Sequence, residues 1–118
     1  MTRKCILRVK YEAPGFHRWK DAPKGREYLR DLHRHVFGFI VEVEVTELNR
    51  ELEYHTLEDV CLTETKYMLN NMKATTQEWS CEHMAEYLFT HLFKMGYDIE
   101  SVEASEEWKY CSVVRRHE

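Results

Sequence analysis

Apolar and polar residues alternate most regularly between His33 and Leu48, and this run organises the chain. His35, Phe37, Phe39, Val41, Val43 and Val45 occupy every second position, so they share one face of a strand. Val36, Ile40, Glu42 and Glu44 share the other, which turns polar toward its end. The pattern predicts a strand over about 33–48. A shorter alternation sets Cys5, Leu7, Val9 and Tyr11 against Ile6, Arg8 and Lys10, and predicts a strand over 4–11. Residues 13–27 hold both prolines and two of the four glycines, and read as a loop.

The period then changes. Leu57, Val60, Cys61, Met68, Leu69 and Met72 recur at helical spacing over 54–72, with one gap at Glu64 and Thr65. Thr56 is a capping candidate at the start. After a loop at 73–79, Cys81, Met84, Ala85, Leu88, Leu92 and Met95 form a second apolar stripe. Ser80 suits its N-cap, Glu82 its first turn and Gly96 the position just past its end. Two strands close the chain, over 98–105 and 108–116, with Glu106 and Glu107 between them in a turn. The order β-β-α-α-β-β predicts an α+β fold, an antiparallel four-stranded sheet with two helices on one face.

The length of 118 residues predicts one domain spanning 1–118. The net charge of −4 argues against a generic nucleic-acid binder. No stretch is long and apolar enough for a membrane span. The four cysteines form no C-x-x-C pair and the first residues lack a secretory pattern, so free thiols in the cytoplasm are expected.

The chemistry gathers at histidines. His33 and His35 open the second strand, on one face and about 7 Å apart along the backbone. They read either as a strand entrance hydrogen-bonded to loop backbone or as the start of a metal site. His17 follows the first strand, and a hairpin return would set it beside His33. Three neutral imidazoles with one open position are the donor set of a catalytic-type zinc site. His55, His83, His91 and His117 have no such arrangement and are expected mostly to face solvent.

Phe16-His17, a loop bearing proline and glycine, and H-x-H running into Val41-Glu42-Val43-Glu44-Val45 resemble the 6-pyruvoyl- and 6-carboxy-tetrahydropterin synthase family. Further segments follow in order: Glu53 to Leu57, Leu69-Asn70, Trp79 to Ala85, and Val102 to Tyr110. The resemblance implies the T-fold, zinc on His17, His33 and His35, and a pterin- or guanine-like ligand. It puts Glu106 at the position that anchors the heterocycle, where a carboxylate can accept two N–H bonds from a 2-amino-4-oxo pyrimidine ring. It puts Glu82 at a second ligand-binding position. Read without it, Glu106 is an exposed turn glutamate and Glu82 a carboxylate placed for the helix dipole. The resemblance also implies a cyclic homo-oligomer, a trimer or stacked hexamer, with sites between subunits.

Departures from the pattern bear on activity. The nucleophilic cysteine of the family falls on Leu29 or Glu27, and its Asp-His pair on Thr65-Lys66. The glycine between the two histidines is Arg34, which adds bulk and charge near the expected metal. Glu27, Lys66 and His55 are the remaining candidates for a relocated acid or base. Three functions follow: a zinc-dependent carbon–oxygen lyase with altered or lost chemistry, a non-catalytic oligomer that binds or sequesters its ligand, or a structural oligomer in which the histidines are vestigial.

Overall fold

The odd-numbered apolar positions of the second strand bury together and seed the sheet. A computed structural model describes residues 3–117. The strands are β1 (Cys5–His17), β2 (His33–Val45), β3 (Ile99–Glu106) and β4 (Tyr110–Arg115), and the helices are α1 (Tyr54–Lys73) and α2 (Cys81–Lys94). A single 3-10 turn covers Glu27–Leu29. All neighbouring strands are antiparallel, in the order β1-β2-β3-β4. Phe37, Phe39, Val41 and Val43 on β2 meet Val102 and Ala104 on β3 beneath Leu57, Met68, Met84, Leu88 and Leu92 of the helices. Both helices cover this face, and Arg8, Lys10 and Glu12 lie exposed on the other.

β1 runs six residues past its expected end at Tyr11, through Pro14 and Gly15 to His17. Proline is compatible with a strand at a sheet edge, where no neighbour needs its missing N–H. Gly15 is needed for close approach: a Cβ there would lie 3.0 Å from the Phe37 ring and 3.2 Å from Leu69. The extension matters because it makes His17 the register partner of His33. β2 stops at Val45 rather than 48, where the Glu51 carboxylate accepts the N–H groups of Thr46 and Glu47.

The cap of α1 also differs from expectation. Glu53, not Thr56, is the N-cap, and its carboxylate accepts the backbone N–H groups of His55 and Thr56. A carboxylate there meets the exposed amides and the helix dipole together. Ser80 caps α2 as expected and Gly96 follows its end at φ +103°, a conformation glycine adopts without a Cβ penalty.

The gap in the stripe of α1 is filled by a polar pair. Thr65 is buried, and its Oγ1 is 2.7 Å from the hydroxyl of buried Tyr11. Thr65→Val keeps the shape but leaves that hydroxyl without its partner. The expected cost is about 1–3 kcal/mol, read as a lower denaturation midpoint at constant slope. Adding Tyr11→Phe should recover most of the loss, because removing both polar groups leaves nothing unpaired.

Candidate metal centre

Strand alternation delivers the three imidazoles to one place. His33 and His35 leave the helix-covered face of β2, and His17 leaves the same face of β1 directly opposite His33. The ring centroids of His17 and His33 are 4.6 Å apart, those of His17 and His35 5.1 Å, and those of His33 and His35 4.9 Å, all edge-on. Each offers one nitrogen to a group whose members lie within 4.8 Å of one another. Phe37 packs edge-on beneath His17 and His35.

The outer nitrogens fix the tautomers. His17 Nδ1 is 2.8 Å from the carbonyl of Trp79, and His33 Nδ1 is 2.9 Å from that of Asp31. His35 Nδ1 is 3.0 Å from Glu107 Oε1. Carbonyls and carboxylates only accept, so each Nδ1 donates, and in the neutral ring Nε2 is the nitrogen left to bind a metal. Clustered imidazoles whose Nδ1 atoms are each backed by an outer acceptor are the arrangement of metal-binding histidines. The residues therefore fit a divalent cation. Burial is the main cause holding His17 below the usual imidazole pKa, which keeps the ring neutral as a ligand must be.

Glu107 joins this group, and sequence reading passes it over. The hairpin between β3 and β4 turns on Glu107 and Trp108, at φ 54° and 59°. Glu106 belongs to β3, not to the turn as expected: it pairs with Phe37, and its carbonyl accepts the N–H of Lys109. Three residues, 107–109, join the strands, and a turn with positive φ at both central positions is most often built from Asn-Gly. Trp108 is held there by a cross-sheet bond from its indole N–H to Glu12, and its ring lies over Gly38, where a Cβ would come within 2.5 Å. Glu107 Oε1 accepts from both Val36 N–H, at 2.9 Å, and His35. These bonds, that of Val36 first, hold its carboxyl below the usual range. Glu107→Ala should weaken metal binding by roughly 10–100-fold, the usual effect of losing an outer partner, as read by competition with a chromogenic chelator.

The imidazoles of His17 and His33 open onto a cavity of about 470 Å³. Its walls include Trp19, Leu29, Trp79, Glu82 and Glu106, Leu29 being one of the two positions, with Glu27, where the resemblance would put the cysteine. Glu82 Oε1 accepts a bond from Ser112 on β4. Glu106 Oε2 is 3.0 Å from His17 Nε2 and 3.7 Å from His35 Nε2. Cys81 also lines the cavity, but burial and the nearby Glu106 push its thiol up to about 12, so it is not a ready thiolate.

The remaining sequence candidates stand apart. Glu27 is exposed and accepts the Gly25 N–H; Lys66 is exposed on α1; His55 is exposed beside Glu53. None of them lines the cavity. Arg34 is exposed, because strand alternation sends its side chain to the face opposite the imidazoles rather than toward them. His83 is exposed as expected, whereas His91 is half-buried, stacked on Tyr87 with centroids 3.8 Å apart.

This sheet and helix arrangement is that of the 6-pyruvoyl-tetrahydropterin-synthase-like T-fold. The solved structure of Caenorhabditis elegans 6-pyruvoyl tetrahydropterin synthase superposes with a TM-score of 0.60 at 16% identity, covering 99% of this chain and 100% of that one. An uncharacterized protein from Wolinella succinogenes superposes with a TM-score of 0.69 at 14% identity, covering 98% of this chain and 100% of that one. At these identities the likeness is one of fold. No family model matches the chain, and no curated protein matches it in sequence.

Proposed function

We propose that the protein binds zinc through His17, His33 and His35 and takes a pterin- or guanine-like heterocycle into the adjoining cavity, without the lyase chemistry of the synthases it resembles. The convergence of three imidazole nitrogens within 4.8 Å of one another, two of the rings lining the cavity, carries this reading. Neutral imidazoles suit zinc. Bound there, the metal would supply Lewis-acid polarisation of a ligand oxygen. Glu106 and Glu82 would accept ring N–H groups, and Trp19 and Trp79 would give the ring aromatic surroundings. Loss of chemistry follows from what the walls lack. Leu29 exchanges no proton, Lys66 is exposed to solvent, and Thr65 is committed to Tyr11.

The same reading makes the protein a cytoplasmic homo-oligomer, a trimer or a hexamer of stacked trimers. The four cysteines are unpaired, which suits a reducing compartment. No helix among the described residues is long and apolar enough to cross a membrane. β1 lies at the sheet edge along its 13 residues, and edge-to-edge closure into a barrel would cover it.

The test is elemental analysis of protein prepared without a histidine tag, then calorimetry with pterin, guanine and adenine. One zinc per chain, with binding of the first two and not of adenine, is the expected result. Protein that takes up no zinc, or that does not distinguish guanine from adenine, would overturn the reading.

A further inference from the structure

We infer that the two indoles of the cavity have different tasks: Trp19 is the ring that stacks face to face on the heterocycle, and Trp79 is a fixed wall that does not. This rests on the heterocycle reading above and adds the residue that grips the flat face of the ligand.

Trp79 is already committed. Its ring lies against that of His83 with centroids 4.2 Å apart and planes 8° from parallel, and Tyr87 tilts against it at 5.3 Å. Steps of four residues, 79, 83 and 87, bring these rings to one side of the start of α2. Tyr87 is backed in turn by His91 at 3.8 Å. A ligand stacking on the covered face of Trp79 would have to displace His83. The segment just before Trp79 is tied down as well. Gln77 accepts the Arg18 N–H on its carbonyl at 2.8 Å, and Glu78 Oε1 accepts the Lys20 N–H at 3.1 Å.

Trp19 is the opposite case. It lines the same cavity, keeps 51% of its surface exposed and has no ring stacked on it among the described residues. Its main chain is nonetheless fixed. Its N–H donates to the Leu29 carbonyl at 2.8 Å, and its own carbonyl accepts the Ala22 N–H at 3.1 Å. The Ala22 carbonyl accepts two bonds from the Arg30 guanidinium, at 2.8 and 2.6 Å. The result is an anchored backbone carrying an uncovered aromatic face. Such a side chain has only two torsions to fix on binding, so it offers a large contact area at a small entropic cost.

Stacking and hydrogen bonding divide the ligand between them. A flat ring gives its face to an indole and its edge N–H groups to acceptors, and the acceptors proposed for that edge, Glu82 and Glu106, line the same cavity. Every base has a π-face, so stacking on Trp19 supplies affinity. The choice among rings stays with the groups that meet the edge.

Zinc-loaded wild type, Trp19→Ala and Trp19→Phe are titrated with pterin by calorimetry, and indole emission is followed with correction for the absorbance of pterin. Trp19→Ala is expected to bind pterin roughly 5–150-fold more weakly, the range that alanine substitution gives for a base stacked on an aromatic side chain, while still taking up one zinc per chain. Trp19→Phe should keep most of the affinity, because it restores a π-face. It should lose most of the pterin-induced fall in emission, because the remaining indoles are not the stacked ones. Equal affinity in the wild type and Trp19→Ala, with the emission change intact in Trp19→Phe, would overturn the inference and leave the heterocycle reading standing. Weaker binding that comes with lost zinc, or with a changed assembly mass by native mass spectrometry, would assign Trp19 to the fold or an interface and overturn it too. Failure of the wild type to bind pterin would overturn both.

Discussion

His33→Ala protein will bind zinc on the order of 100-fold more weakly than the wild type, or worse. Loss of an outer partner of a metal-binding histidine already costs roughly 10–100-fold, and this substitution removes a direct donor. His33 is the right residue to change. It is half-buried at the start of β2, and its Nδ1 bond goes to the carbonyl of Asp31 in the preceding loop, so the core between sheet and helices is untouched. An unchanged circular dichroism spectrum alongside the lost metal would separate ligation from folding. Retention of a full equivalent of zinc by this variant would place the metal elsewhere.

Conversion of dihydroneopterin triphosphate will be slower than in authentic 6-carboxy-tetrahydropterin synthases by about 10⁴-fold or more. Each positioned proton-transfer group contributes roughly 10²–10⁴-fold, and several are missing. The structure sharpens this expectation. Leu29, one of the two positions on which the family's cysteine would fall, lines the cavity without a thiol, and burial pushes the thiol of Cys81 up to about 12. Thr65 and Lys66 lie on α1, the first buried against Tyr11 and the second in solvent. Turnover near that of authentic enzymes, measured by chromatography of the products, would show that another group carries the proton.

The strand and helix order was legible because each element carries its period in its own residues. Every second residue of β2 is apolar, and α2 combines an apolar stripe with Ser80 before it and Gly96 after it. The end of β1 was not legible, because Pro14 and Gly15 are loop residues locally and strand residues only at an edge beside Phe37. The three histidines come together despite this, since His17 needed only to end near His33. Glu107 left no local signal. Its role depends on a turn whose backbone conformation is held by Trp108, Gly38 and Glu12, three positions far apart in sequence. Arg34 shows the opposite case: its neighbours in sequence are His33 and His35, and alternation sends it to the other face.

The pairing of His17 with His33 bears on how the cavity wall is kept in place. Residues 18–32 form one excursion whose base is this cross-strand pair, and Arg18, Trp19 and Leu29 along it line the cavity. A metal held by both histidines is a clasp across the neck of that excursion. It removes freedom from the loop much as a covalent cross-link would, and the stabilisation grows with metal concentration above its dissociation constant. The loop in turn shapes the space a heterocycle would enter. Metal and heterocycle then act on the same segment, and by thermodynamic reciprocity whatever one does to the affinity of the other is returned in equal measure. With a metal bound as proposed, stripping it would loosen a wall as well as empty a coordination site.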